Sequence, residues 1–249
     1  MRRGKRDKNM VFSSLQFFLI FMPVFFGCYY IAPEKYRNII LLIGSMTFYF
    51  IGTLNAPYHF VLFIISILVD FTVGLFIEKY PKHKKLFLVC GVIFHLISLC
   101  IFKYGNFIIG EFGKISSGLA SFKEIILPIG ISFYTFQGMS YIADVYGGKI
   151  KAEKNLLNFA VYISMFAQLI AGPIVTYREI SDRLEKRRIT RRMAFKGFGI
   201  FIFGLGLKVL LANPIGKLWT QAQTIGFESL STPLAWMSVI AFSFQLYFD

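Results

Sequence analysis

The sequence predicts an all-α, polytopic integral membrane protein with about eight transmembrane or re-entrant helices. Three observations carry this. Over its 249 residues the chain is 56% hydrophobic and only 16% charged, with a mean hydropathy of +0.61, whereas a soluble domain carries about 25% charged residues. Eight apolar runs cover residues 11–32, 39–54, 60–77, 86–102, 125–143, 156–171, 193–212 and 234–249, and most are long enough to cross a bilayer as helices. Most of the Lys and Arg behind the net charge of +14 sit in the short links between those runs, where they set topology and meet anionic headgroups. No basic, aromatic-interleaved soluble domain is present, so nucleic acid is excluded as a partner and the lipid bilayer is the expected one.

Residues 1–10 read as a basic tail holding Arg2, Arg3, Lys5, Arg6 and Lys8. The run 11–32 is too long for a signal-peptide core and has no small-residue cleavage site after it, so it is expected to stay as a span, kinked at Pro23. Pro128 is expected in the first turn of the fifth segment, where a missing N–H does little harm. The run 156–171 is short and meets Gly172 and Pro173. This predicts a broken or re-entrant element, tolerated only where protein or a cavity covers it. The final run reaches about 24 Å with no polar anchor after it, and reads as a chain cut in mid-span. Cys28, Cys90 and Cys100 lie inside apolar runs without metal spacing and are expected as small buried apolar residues.

If every run crosses, the tail and the loop 172–192, with its seven Lys or Arg, share one side. That basic-rich loop is expected in the cytoplasm. Within it Thr176 and Glu179 have capping-box spacing. Ile180 and Leu184 fall on one helical face, and Glu179/Arg183 and Asp182/Lys186 pair at i, i+4. The pattern predicts a short amphipathic helix in the membrane interface or, alternatively, a solvated connector.

Polar groups inside spans are costly, so each is a functional candidate. Tyr134, Gln137, Tyr141 and Asp144 fall on one face of the fifth segment, either lining a polar path or bonding a neighbouring helix. Gln168 sits one turn before the Gly172–Pro173 break, able to bond freed carbonyls or a substrate. Asp70 is mid-span and needs a partner or a proton; Lys208 and Asn106 are candidates. His95 reads as a helix–helix hydrogen bond. No nucleophile elbow, phosphate loop, zinc spacing or dinucleotide fingerprint is present, so no metal or bound cofactor is expected. Residue chemistry alone leaves a transporter or channel, or a non-catalytic membrane scaffold, open beside an enzyme.

The stretch Leu127 to Tyr141, reading Leu-Pro-Ile-Gly-Ile-Ser-Phe-Tyr-Thr-Phe-Gln-Gly-Met-Ser-Tyr, followed by Asp144-Val-Tyr-Gly-Gly148, resembles the membrane-bound O-acyltransferase family, in its alginate and cell-wall O-acetylation branch. Met10 to Ser14, Phe102 to Phe107, Gln168 to Val175 with Tyr177-Arg-Glu179, and the closing Gln245 to Asp249 are similar to other family stretches. Ala167, Thr176 and Leu207 depart from the family's usual Pro, Arg and Lys. The resemblance implies that residues 11–249 are the N-terminal part of an acyltransferase domain, truncated before the catalytic half. It implies acetyl transfer from acetyl-coenzyme A, a cytoplasmic donor, to an extracytoplasmic polysaccharide or a partner acetyltransferase, in the cell membrane. The family's essential His, in a Trp-His-Gly run, has no match here, so this chain is expected to be inactive alone. Tyr134, Gln137, Tyr141, Asp144, Gln168 and Arg178 are the expected wall of the substrate path.

Overall fold

The computed structural model describes residues 16–113, 125–170, 172–187 and 189–249. The basic tail, the Met10–Ser14 stretch, Lys114 and Lys123 lie outside the described residues. Two compact units are present, Met1–Arg187 and Arg188–Asp249.

Unit 1 contains α1 (Met22–Ile31), α2 (Arg37–Gly52), α3 (Tyr58–Lys79), α4 (Lys84–Leu99), α5 (Gly105–Gly113), α6 (Ile131–Tyr146), α7 (Leu156–Ser164), α8 (Phe166–Leu169) and α9 (Tyr177–Glu185). A π turn, Phe17–Phe21, precedes α1, with Pro23 at the start of that helix. A second π turn, Cys100–Tyr104, joins α4 to α5. Helices α3, α4 and α6 pack on one another, and Tyr49, Phe63, Tyr134, Tyr141 and Phe159 fill the core between them and their neighbours. Phe17, Phe21, Phe25, Phe48 and Phe166 form a second cluster, which seats α8 against α1 and α2.

The expectation of about eight spans is corrected. Among the described residues three helical stretches are long and apolar enough to cross a membrane: Tyr58–Lys79, Pro81–Glu111 and Arg191–Ile225; Phe17–Ile31 and Thr232–Phe248 are shorter apolar helices. The physical reason is that apolar runs and helices do not coincide. Helices α2 and α6 have 16 residues each, about 24 Å of rise against a core of about 30 Å. The fifth run begins extended, so Pro128 precedes the helix instead of lying in its first turn. Gly130, at φ 70°, turns the chain into α6. A Cβ there would lie 2.5 Å from the Leu169 carbonyl oxygen, so both backbone and space require glycine. Cys28, Cys90 and Cys100 are free and exposed, not buried, because they sit on the outward faces of their helices.

The run 156–171 enters and returns at the same end of unit 1. Its start follows Glu153, whose carboxylate accepts a hydrogen bond from Tyr177 at the first residue of α9. Glu78 at the end of α3 accepts from Ala152 N at 2.6 Å. Asn38, at the start of α2, donates to Asn158 Oδ1 at 2.8 Å and to Leu184 O at 3.1 Å. The links 33–38, 79–85, 147–155 and 172–187 thus share one end. A re-entrant 156–171 breaks the parity count that put loop 172–192 and the N-terminal tail on one side.

This end is the basic one. Those four links hold thirteen Lys or Arg, against one, Lys103, among the described residues of 53–57 and 103–130. By the positive-inside rule such an end is expected on the cytoplasmic side. A Ser181→Cys variant, made with Cys28, Cys90 and Cys100 replaced by Ala, is expected to resist membrane-impermeant thiol reagents in intact cells and to react after permeabilisation. Ready labelling from outside would invert this topology.

In unit 2, α10 (Arg191–Gly206) continues through the π turn Leu207–Ala212 into α11 (Asn213–Ile225), so the seventh run lies within a longer helix. Thr190 caps it, accepting from Met193 N at 3.2 Å. Helix α12 (Thr232–Phe248) packs back on α11, with Trp219 and Phe242 rings 4.7 Å apart. Lys208, a sequence candidate for pairing with Asp70, pairs within this unit with Asp249.

Candidate functional site

A break in α7 organises the polar centre of unit 1. The helix ends at Ser164, and Met165 takes ψ 111°. In an unbroken helix the Phe166 N–H would bond the Tyr162 carbonyl. Here both are released, and side chains take them up. Phe166 N donates to Ser45 Oγ of α2 at 3.2 Å. The Tyr162 carbonyl accepts from Gln168 Nε2 at 2.7 Å and from Gln137 Nε2 of α6 at 3.2 Å. The Tyr162 hydroxyl donates to the Val175 carbonyl at 3.1 Å, holding the returning strand of the re-entrant segment. Ser45 and Tyr162 are 0% exposed and Gln137 3%, so each released group would otherwise be stranded out of reach of water.

Around this knot sits an aromatic cluster. The Tyr141 ring lies 4.6 Å from Phe159 and 5.5 Å from Tyr177, and Tyr162 lies 5.1 Å from Tyr177. The Tyr141 hydroxyl accepts from Glu153 N at 2.9 Å. Tyr177 donates to the Glu153 carboxylate. Burial first, and the adjacent Glu153 second, push the Tyr177 hydroxyl above the usual tyrosine range. Tyr134 packs edge-on to Phe63 at 5.0 Å beside Tyr49.

The structure therefore brings Gln137 and Gln168 together at one carbonyl, with Tyr141 in the aromatic cluster beside them, and places Tyr134 apart, against Phe63 and Tyr49. It does not bring Asp144 and Arg178 to them. Asp144 pairs with Lys149 at 3.0 Å, five residues on, instead of with Arg178. Arg178 is on the exposed face of α9. Helix α9 starts after Thr176, but no side-chain cap bond forms there; the turn closes instead through Glu179 N to Thr176 O at 3.1 Å. Its apolar face, with Tyr177 and Leu184 buried, packs on protein. Ser45, Tyr162 and Glu153 join the site without having been singled out in the sequence, and Tyr177 was marked there only as part of a stretch carrying the resemblance. The sequence signal nearest to them was Gly172–Pro173, but the helix breaks earlier, at Met165.

A second buried polar contact lies beside α6. Asp70 Oδ1 and His95 Nε2 are 2.6 Å apart, at 1% and 0% side-chain exposure. This is the helix–helix hydrogen bond expected of His95. Asn106, a candidate partner of Asp70, instead clasps Ile125 through N and O at 2.8 and 2.7 Å.

The chain is 37% identical over 248 residues to the "Probable alginate O-acetylase AlgI" of Pseudomonas aeruginosa, covering 96% of this chain and 46% of the relative. It is 35% identical over 253 residues to the protein of that name from Azotobacter vinelandii, covering 96% and 48%. It is homologous to the membrane-bound O-acyltransferases. The "Peptidoglycan O-acetyltransferase" of Helicobacter pylori is 29% identical over 278 residues, covering 96% and 51%. The chain spans about half the length of the curated relatives it matches. No family model and no solved structure matches it. With its long apolar helices, it is a multi-pass protein of the cell membrane.

Proposed function

We propose that this chain is part of a membrane O-acyltransferase that moves acetyl groups from acetyl-coenzyme A on the cytoplasmic side to an extracytoplasmic polysaccharide or a partner acetyltransferase. The observation that carries this is similarity across 96% of the chain to proteins named for alginate O-acetylation. In this reading Gln137, Tyr141 and Gln168 act by holding the re-entrant segment that would wall the acyl path, Tyr134 braces α6 against Phe63, and Asp144 and Arg178 sit at the path's cytoplasmic mouth. The base that would activate an acceptor hydroxyl is a histidine, and neither His59, His83 nor His95 fits the family's Trp-His-Gly run.

Membranes holding the full coding sequence are expected to transfer label from acetyl-coenzyme A to polymer or partner. Membranes holding residues 1–249 alone are expected to match empty membranes. Silence from the full coding sequence would sink the acyltransferase reading; transfer by residues 1–249 alone would sink the claim that the base lies elsewhere.

A further inference from the structure

At the basic end of unit 1 a cavity of about 400 Å³ opens between the α1–α2 link, the start of α7 and the end of α9. None of the α6 residues lines it. We propose that this cavity is a binding site for a phosphate ester, gripped between Arg37 and Arg187. The proposal goes beyond the acyltransferase reading and does not depend on it.

Two guanidiniums share one aromatic ring here. Arg37 Cζ lies 5.7 Å and Arg187 Cζ 5.8 Å from the centroid of the buried Tyr29. Arg187 is fixed in place: Nη1 donates to the Tyr29 hydroxyl and Nε to the Arg183 carbonyl, each at 3.1 Å, and Nη2 donates to Asn38 Oδ1. Asn38 is itself held by Asn158 and Leu184. Every one of these acceptors is neutral, and among the described residues Arg187 has no carboxylate partner. Arg37 reaches one carboxylate, Glu34, at 3.4 Å, through a side chain that is 79% exposed. Its Nε is buried with no hydrogen-bond partner among the described residues.

Two cations line this one cavity, one of them with an orphaned donor, and a part-buried cation without a full counter-charge favours an anion joining it. An exposed carboxylate at 3.4 Å offsets little of that positive charge. The other acid at the cavity, Glu185, is exposed. A guanidinium fork matches phosphate oxygens two at a time, and the unused N–H groups of Arg37 and Arg187, with Lys35 at the cavity wall, supply the donors. A phosphate ester could come from an anionic lipid headgroup or from a soluble phosphate compound. Both present the same group to these residues.

The test uses the full coding sequence in phosphatidylcholine nanodiscs, read by melting temperature. One arm titrates pyrophosphate; the other adds phosphatidylglycerol to the discs. At least one is expected to stabilise the protein, pyrophosphate alone assigning a soluble ligand and phosphatidylglycerol alone a headgroup. Arg37→Gln is expected to weaken that response about tenfold or more, with Arg37→Lys in between. Arg187→Gln should do the same, but it also breaks the Asn38–Tyr29 network, so Arg37→Gln carries the decision if Arg187→Gln fails to fold. Lys151→Gln, at the same end but outside the cavity, should leave the response unchanged. No response to either probe, or an equal loss with Lys151→Gln, would overturn the site.

Discussion

His95→Ala is expected to destabilise unit 1 by about 3–5 kcal/mol, because it leaves the Asp70 carboxyl buried without its partner. Asp70 and His95 lie on α3 and α4, and the outer carboxyl oxygen of Asp70 abuts Gly138 of α6. Three helices therefore meet at one polar contact. Asp70→Asn keeps the size and an acceptor for the His95 N–H, so its cost should stay near that of one weakened intramembrane hydrogen bond, about 0.6 kcal/mol. Replacing both partners, as in Asp70→Ala with His95→Leu, should cost less than His95→Ala alone, since no charge is then stranded.

Gly138→Ala extends the same prediction. Its Cβ would collide with the Asp70 carboxyl, an overpacking cost of about 1–3 kcal/mol. That cost should shrink when Asp70 is also Ala, because the colliding atoms are gone. Detergent melting curves of the single and double variants measure all of this. A His95→Ala protein that melts like the parent would show that the pair contributes nothing to the packing of α3, α4 and α6.

Much of this was legible locally and little of it across the chain. That the run 156–171 is broken could be read from its shortness and from Gly172 and Pro173 at its end, though the break itself falls earlier, at Met165; α9 could be read from Ile180 and Leu184, because these signals sit within one or two turns. That Asp70 needs a partner follows from the cost of a bare carboxyl in lipid, but which partner is decided by which helices pack together, and periodicity carries no such information. Ser45 looked like any small polar residue in an apolar run. Its role depends on a freed N–H about 120 residues away. The number of crossings was overestimated for a related reason. Apolar composition continues through Leu127, Pro128 and Met165, where the backbone is no longer helical, so run length overstates helix length. The parity argument for topology inherited that error at 156–171. Loop charge, a local quantity, still favours the same side for residues 172–192.

Gln137→Leu and Gln168→Leu are expected to be individually mild and jointly severe. Both amides donate to one acceptor, the Tyr162 carbonyl that the break releases, and the Gln168 bond is the shorter, 2.7 against 3.2 Å. Gln137→Leu alone leaves that carbonyl satisfied, so its cost should stay near the low end of the range for one intramembrane hydrogen bond, about 0.6–1.7 kcal/mol, with Gln168→Leu toward the upper end. The double variant leaves a buried carbonyl with neither amide. In an apolar setting that costs several kcal/mol, so the pair should show a coupling of about 1 kcal/mol or more beyond the sum. Ser45→Ala acts on the other half of the break by removing the acceptor for Phe166 N–H, and should add to the single Gln variants because it serves a different released group. Melting temperature separates this holding role from contact with substrate. If the amides hold the break, stability and activity of the full coding sequence fall together in the double variant. If Gln137 instead touches the acyl group, Gln137→Leu alone abolishes transfer while the protein melts as before. Strictly additive, small losses in the double variant would show that the Tyr162 carbonyl finds another donor, and the knot would then not be what fixes the re-entrant segment.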